Sequence, residues 1–149
     1  MGCNAQWKTR RVRAYRGDQR VMSTILVLDD DRIFRRLVVE VLEQRGHRVL
    51  EAGRAAEADR ILEEEHADLL VVDGLLPDIT GVQWIEKLRE AGRQTQVLLV
   101  TSFWKSMRDF AIAARRLGAI EMVRKPVEAD EVADRVEATL RVPGKSRRT

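Results

Sequence analysis

From Met22 onward, short apolar runs alternate with segments whose apolar residues recur every three or four positions. Four or five apolar residues between polar ones predict a buried strand, and the three-and-four spacing predicts a helix with one covered face. Thr24 to Leu28 is expected to form the first strand. Asp31 can cap a helix that turns Ile33, Phe34, Leu37, Val38, Val41 and Leu42 inward, and Gly46 ends it. His47 to Glu51 reads as the second strand, and an Ala-rich helix from about Arg54 to Glu65 carries Ala58, Ile61 and Leu62. The third strand, Asp68 to Val72, leads through a loop with Pro77 and Gly81 into a helix from Val82 to about Ala91 that carries Val82, Ile85 and Leu88. Val97 to Val100 is the fourth strand; Met107, Phe110, Ala111, Ala114 and Leu117 mark the fourth helix, closed by Gly118. Ile120 to Val123 is the fifth strand, and Val132, Val136 and Leu140 stripe the fifth helix before Pro143-Gly144.

Strict alternation of this kind predicts an α/β fold, with a parallel sheet covered by helices on both faces and right-handed crossovers. The expected form is a flavodoxin-like, doubly wound five-stranded sheet in the order 2-1-3-4-5 with five helices. In that order the ligand crevice lies at the carboxyl ends of the first and third strands. Polar residues stand at those ends: Asp29-Asp30 after the first run, Asp73 after the third, Thr101 after the fourth and Lys125 after the fifth. Carboxylates converging without cysteine or histidine make an all-oxygen site that suits Mg2+ or Mn2+ rather than zinc. Thr101 can donate a hydrogen bond to a phosphoryl oxygen, and Lys125 supplies the positive charge that a tight acidic cluster needs. Asp73, being central, is the carboxylate placed to act as an acceptor nucleophile.

Charge divides the chain. Its net charge is +3 and its length 149 residues, but residues 1–21 hold Lys8, Arg10, Arg11, Arg13, Arg16 and Arg20 against Asp18 alone. Residues 141–149 add Arg141, Lys145, Arg147 and Arg148, which leaves the stretch between the two ends acidic. An acidic body argues against nucleic acid as a ligand. The expected organisation is a disordered basic extension over 1–21, one folded domain over 22–141 and a basic tail over 142–149. Met22 opens directly into the first strand and is expected to be the native start; recovery of peptides from residues 2 to 20 in cells would rule that out. Cys3 is the only cysteine, so no intrachain disulfide forms, and no apolar stretch is long enough to span a bilayer. The expected location is cytoplasmic.

The four strand-end motifs together resemble response-regulator receiver domains, the family of the chemotaxis regulator and of two-component systems. Ile-Leu-Val-Leu-Asp29-Asp30 is similar to the family's acidic pair, and Leu-Leu-Val-Val-Asp73-Gly-Leu-Leu-Pro77-Asp-Ile-Thr-Gly81 to its phosphoacceptor loop. Val-Leu-Leu-Val-Thr101-Ser102 matches the hydroxyl motif, and Val-Arg-Lys125-Pro126 the Lys-Pro pair. The resemblance runs from about Met22 to Leu140. It implies that Asp73 accepts a phosphoryl group from a phosphohistidine on a sensor kinase or phosphotransfer protein. It further implies that Asp30, Asp73 and the backbone carbonyl of Leu75 bind the metal directly and Asp29 through a water. Thr101, Ser102 and Lys125 are then the phosphoryl-binding and switch positions, and the Lys125-Pro126 bond is expected to be cis. Output is expected through the face formed by the fourth helix, fifth strand and fifth helix, on which homodimers of this family also form.

One position departs from the family pattern. Met122 stands three residues before Lys125, where most members carry Tyr or Phe, so aromatic gating is absent there. Phe103-Trp104, just after the Thr, offers aromatic surface instead. Asp31 reads as a helix cap, Asp78 as a loop residue on the solvent side, His47 and His66 as structural, and Trp84 as packed at the border of its helix's stripe.

Three functional classes follow: a phosphorylatable stand-alone receiver, a pseudo-receiver adaptor that signals without phosphorylation, and an enzyme on the same fold. Intact Asp30, Asp73, Thr101 and Lys125 favour the first. No Gly-x-Gly-x-x-Gly follows the first strand and no Asp-x-Asp begins at Asp73, which weakens the enzymatic reading. Nine residues after Leu140 are too few for a helix-turn-helix, so direct DNA binding is not expected.

Overall fold

The computed structural model describes residues 22–102, 111–112, 115–118 and 120–141. The readings for residues 1–21 and 142–149, and for Phe103, Trp104, Met107, Phe110 and Ala114, lie outside the described residues. Five strands, β1 (Thr24–Leu28), β2 (Arg48–Ala52), β3 (Leu69–Asp73), β4 (Gln96–Thr101) and β5 (Ile120–Arg124), form one sheet in the order β2-β1-β3-β4-β5. Every pair is parallel. Helices α1 (Arg32–Gln44), α2 (Ala55–Glu64) and α3 (Gly81–Glu90) follow the first three strands. A fourth helix, α4, is described at residues 111–112 and 115–117, and α5 (Ala129–Arg141) closes the fold.

The central strands bury both faces, which is why their sequences run apolar without alternation. Successive side chains still point to opposite sides. Leu26, Leu28, Leu70, Val72, Val97 and Leu99 pack against α2 and α3, where Ala58, Leu62, Trp84, Ile85 and Leu88 meet them. Ile25, Val27, Leu69, Val71, Leu98 and Val100 face the other way, onto Val38, Val39 and Leu42 of α1 and Val132, Val136 and Leu140 of α5. Each fully buried Leu, Ile or Val contributes about 1.5–3 kcal/mol of transfer free energy, so truncating Leu70 or Leu99 would open a cavity in a core that α2 and α3 depend on.

Local signals set the helix starts. Asp31 Oδ1 accepts from Ile33 N and Phe34 N, both at 3.1 Å, as a cap should. Thr80 and Gln83 form a capping box at α3. Trp84 is fully buried, with its Nε1 donating to Asp59 Oδ1 at 2.8 Å, and so joins α3 to α2. Arg89 of α3 spends its guanidinium on three backbone oxygens, Leu117 O, Gly118 O and Arg93 O, at 3.0–3.1 Å. Burial pulls that guanidinium below its ordinary value.

Two sequence readings need correction. Ile33 and Leu37 do not face the core: they are 76% and 51% exposed, and the covered face of α1 is Val38, Val39 and Leu42. Both fit the period, because a stripe at three-and-four spacing is wider than the strip of helix that the sheet covers. His47 lies one residue before β2 rather than in it, and is buried. Asp78 is an exposed loop residue, as expected, and it also caps α2 from a distance, as described below.

Candidate functional site

Asp29 and Asp30 follow the last residue of β1, and Asp73 is the last residue of β3. These strands are neighbours with Leu28 paired to Val72, so the three carboxylates emerge side by side at the carboxyl edge. One oxygen from each lies within 4.8 Å of the others. Asp29 and Asp73 are buried while Asp30 is exposed, which leaves the cluster open on one side. Lys125 follows β5 and reaches back over the sheet edge, with Nζ 2.9 Å from Asp29 Oδ2 and 3.8 Å from Asp73 Oδ2. Its ammonium also lies 4.6 Å from the centre of the Phe34 ring, a cation-π contact from α1.

Three carboxylates and one ammonium leave the cluster net negative, and Asp73 registers the excess. Burial first, then the Asp29 carboxylate, push its carboxyl up to about 7, against the opposite pull of Lys125 and of the Leu75 N–H. That N–H donates to Asp73 Oδ1 at 3.3 Å. Asp29 is held from two further sides: its Oδ1 accepts from Asp31 N at 2.8 Å, and its backbone oxygen accepts from Arg35 Nη1 at 2.7 Å. An all-oxygen donor set with surplus negative charge and one open side fits a hard divalent cation.

The remaining sequence-derived positions fall as follows. Thr101, the last residue of β4, is buried, and its side chain lies against Gly74, where a Cβ would overlap the Thr101 hydroxyl. A residue without a side chain is therefore needed between Asp73 and the Thr101 hydroxyl. Ser102 is exposed and lines a cleft with Asp31, Phe34, Lys125, Pro126 and Val127. The Lys125-Pro126 peptide bond is cis. Leu75 presents its backbone at the acceptor and leaves its side chain 51% exposed. Met122 packs partly buried onto the core beneath α2 and α3, paired with Leu99 across the sheet.

Sequence reasoning missed Gly74, Arg35 and Asp78. Gly74 stands next to the acceptor in the sequence, but its need for a missing Cβ depends on Thr101 arriving from another strand. Arg35 lies one turn into α1, where an Arg beside an acidic pair was a signal available and unused. Asp78 Oδ1 and Oδ2 accept from Ala55 N and Ala56 N, 22–23 residues earlier. The usable clue was the N-cap position of α2, where Arg54 has no capping side chain.

Comparison with known proteins agrees with this geometry. The sequence matches the response regulator receiver domain family over residues 25–137. It is 27% identical over 124 residues to the phosphate regulon transcriptional regulatory protein PhoB of Pseudomonas aeruginosa, a match covering 83% of this chain and 54% of that protein. It is also 27% identical over 116 residues to sporulation initiation phosphotransferase F of Bacillus subtilis, covering 78% of this chain and 92% of that one. The chain thus spans about half the length of PhoB and nearly all of phosphotransferase F. Among solved structures, a CheY-like response regulator receiver domain protein from Methanospirillum hungatei superposes with a TM-score of 0.72 at 26% identity, covering 80% of this chain and 94% of that one. The fold, the strand-end carboxylates and these matches agree: the chain belongs to the response regulator receiver domain family of two-component signalling.

Proposed function

We propose that residues 22–141 act as a stand-alone receiver that takes a phosphoryl group onto Asp73 from the phosphohistidine of a sensor kinase or phosphotransfer protein. The observation that carries this reading is the convergence of Asp29, Asp30 and Asp73 within 4.8 Å, with Lys125 2.9 Å from Asp29. An Asp73 carboxylate oxygen attacks phosphorus, the N–P bond to histidine breaks, and the histidine leaves carrying its electron pair and takes up a proton. The nucleophile must be ionised, and with its carboxyl at about 7 Asp73 is only partly so at neutral pH. Asp29, Asp30, Asp73 and the Leu75 carbonyl would hold Mg2+ or Mn2+, whose charge favours the carboxylate and neutralises the transferring phosphoryl oxygens. Lys125 supplies the matching charge from the other side, and the Thr101 hydroxyl donates to a phosphoryl oxygen once the group is in place.

Phosphotransferase F of B. subtilis, matched over 92% of its length, supports a role in phosphoryl transfer. The signal would leave through protein contacts of the α4, β5 and α5 face, where Ile112 is 62% exposed, and the same face would carry any homodimer. On this reading the protein is a cytoplasmic signalling domain and not an enzyme. Among the described residues no helix is long and apolar enough to cross a membrane. Incubation with acetyl phosphate and MgCl2, read by intact mass, is expected to add one phosphoryl group to the wild type and none to Asp73→Ala. An unmodified wild type would instead select the pseudo-receiver adaptor.

A further inference from the structure

The loop after Asp73 is tied to a helix that is not its own. Within the loop, Gly81 N donates to Gly74 O at 2.9 Å, Leu76 N to Ile79 O at 3.2 Å, and Leu75 bridges Thr80. These bonds give the loop its shape, and they all lie inside it. Its tip reaches outward. Asp78 Oδ1 accepts from Ala55 N and Oδ2 from Ala56 N, both at 3.1 Å, so one carboxylate satisfies two of the free N–H groups that open α2. The positive end of the helix dipole favours a carboxylate there. Desolvation opposes ionisation, yet the Ala55 and Ala56 N–H groups outweigh it and hold the Asp78 carboxyl below its ordinary value.

The corner that Asp78 grips is itself joined to the acidic pair. Ala52, at the end of β2, accepts from Asp29 N at 3.1 Å through its backbone oxygen. A run of contacts therefore leads from Asp73 through Leu75 to the loop tip, across Asp78 to the start of α2 and through Ala52 to Asp29, and Lys125, 2.9 Å from Asp29 and 3.8 Å from Asp73, completes it as a circuit. Asp78 is the one side chain in that circuit that joins the acceptor loop to another element.

We propose that Asp78 is a positioning residue of the phosphoacceptor site: by capping α2 from the acceptor loop it keeps the Leu75 backbone against Asp73, and so sets the affinity of the acidic cluster for a divalent cation. The proposal rests on the reading of that cluster as a cation-assisted phosphoacceptor. A merely structural cap would act on α2 alone, and Glu57 provides the comparison. Glu57 Oε1 accepts from Gly53 N at 2.7 Å at the same corner and forms no hydrogen bond to the acceptor loop.

The test is a titration of the full chain with Mn2+, following the free ion by electron paramagnetic resonance, for the wild type, Asp73→Ala, Asp78→Ala, Asp78→Asn and Glu57→Ala. Expected losses of affinity are about tenfold for Asp78→Ala and about threefold for Asp78→Asn, which keeps one accepting oxygen, with Glu57→Ala within about twofold of the wild type although its melting temperature falls. Binding that depends on Asp73 but is unchanged in Asp78→Ala overturns this proposal alone, as does an equal loss in Glu57→Ala. If Asp78→Ala does not fold, wild-type affinity in Asp78→Asn is the overturning result. A wild type that binds no Mn2+, or binds it independently of Asp73, overturns the phosphoacceptor reading and this proposal with it.

Discussion

The fold holds Asp73 where its ionised form costs stability. Its carboxyl binds a proton more tightly in the folded protein, at about 7, than in the unfolded chain, where an ordinary aspartate titrates near 3.9. The folded state therefore carries the extra proton between those values, and the stabilisation present below about 4 is lost as pH rises through about 7. Asp73→Asn should remove this dependence: without divalent cation it should exceed the wild type in unfolding free energy by about 1–3 kcal/mol at pH 8, and by little at pH 4. Urea unfolding at the two pH values checks this, and parallel pH profiles for the two proteins would refute it. The convergence of Asp73, Asp29, Asp30 and Lys125 was legible in the sequence because each ends or follows an apolar run, and a parallel sheet brings all such ends to one edge. Gly74 was not legible, because its requirement comes from a Thr101 that only the fold puts beside it.

Among the elements, α1 carries a feature that periodicity misread. Ile33 and Leu37, one turn apart, stay in solvent on the helix that starts just after Asp30, flanked by exposed Arg32 and Arg36. Hydrophobic spacing marks residues that will be covered, and does not distinguish cover by the sheet from cover by a partner. On the proposed reading a phosphohistidine donor approaches the open side of the acidic cluster, and α1 begins two residues after Asp30. Ile33→Asp is therefore expected to leave stability within about 0.5 kcal/mol of the wild type and to slow transfer from a phosphorylated partner protein several-fold, with labelling by acetyl phosphate unchanged. Equal loss with both donors would place the defect in the chemistry and reject a docking role. The element order and all five strands were readable from the sequence, whereas the cap from Asp78 to α2 was not, since propensity rules look one turn away and that bond crosses more than twenty residues.

At the scale of the whole molecule, two separate cores lie on either side of one sheet, and polar ties hold the helices over them. His47 is buried where α1, β1 and α5 meet: its Nδ1 accepts from Ser23 N at 3.2 Å, which leaves Nε2 to donate to Glu137 Oε2 at 3.0 Å. Arg45 adds contacts to Glu137 and Asp134 of α5 at 3.1 and 2.8 Å. Truncating the imidazole leaves a cavity in a buried position and removes the partner of Ser23 N, so His47→Ala is expected to cost about 2–4 kcal/mol in urea unfolding. A loss under about 1 kcal/mol would show that the pair is replaceable by water. The opposite face of the sheet is fastened differently. Among the described residues Arg89 bonds to main-chain oxygens, at Leu117, Gly118 and Arg93, and backbone carbonyls are the same whatever side chain they carry. Apart from Gly118, whose φ of +74° favours glycine, side chains near that anchor can change without loosening it. The surface on this side of the protein is thus free to diverge by substitution while the mounting of Leu117 and Gly118 stays fixed.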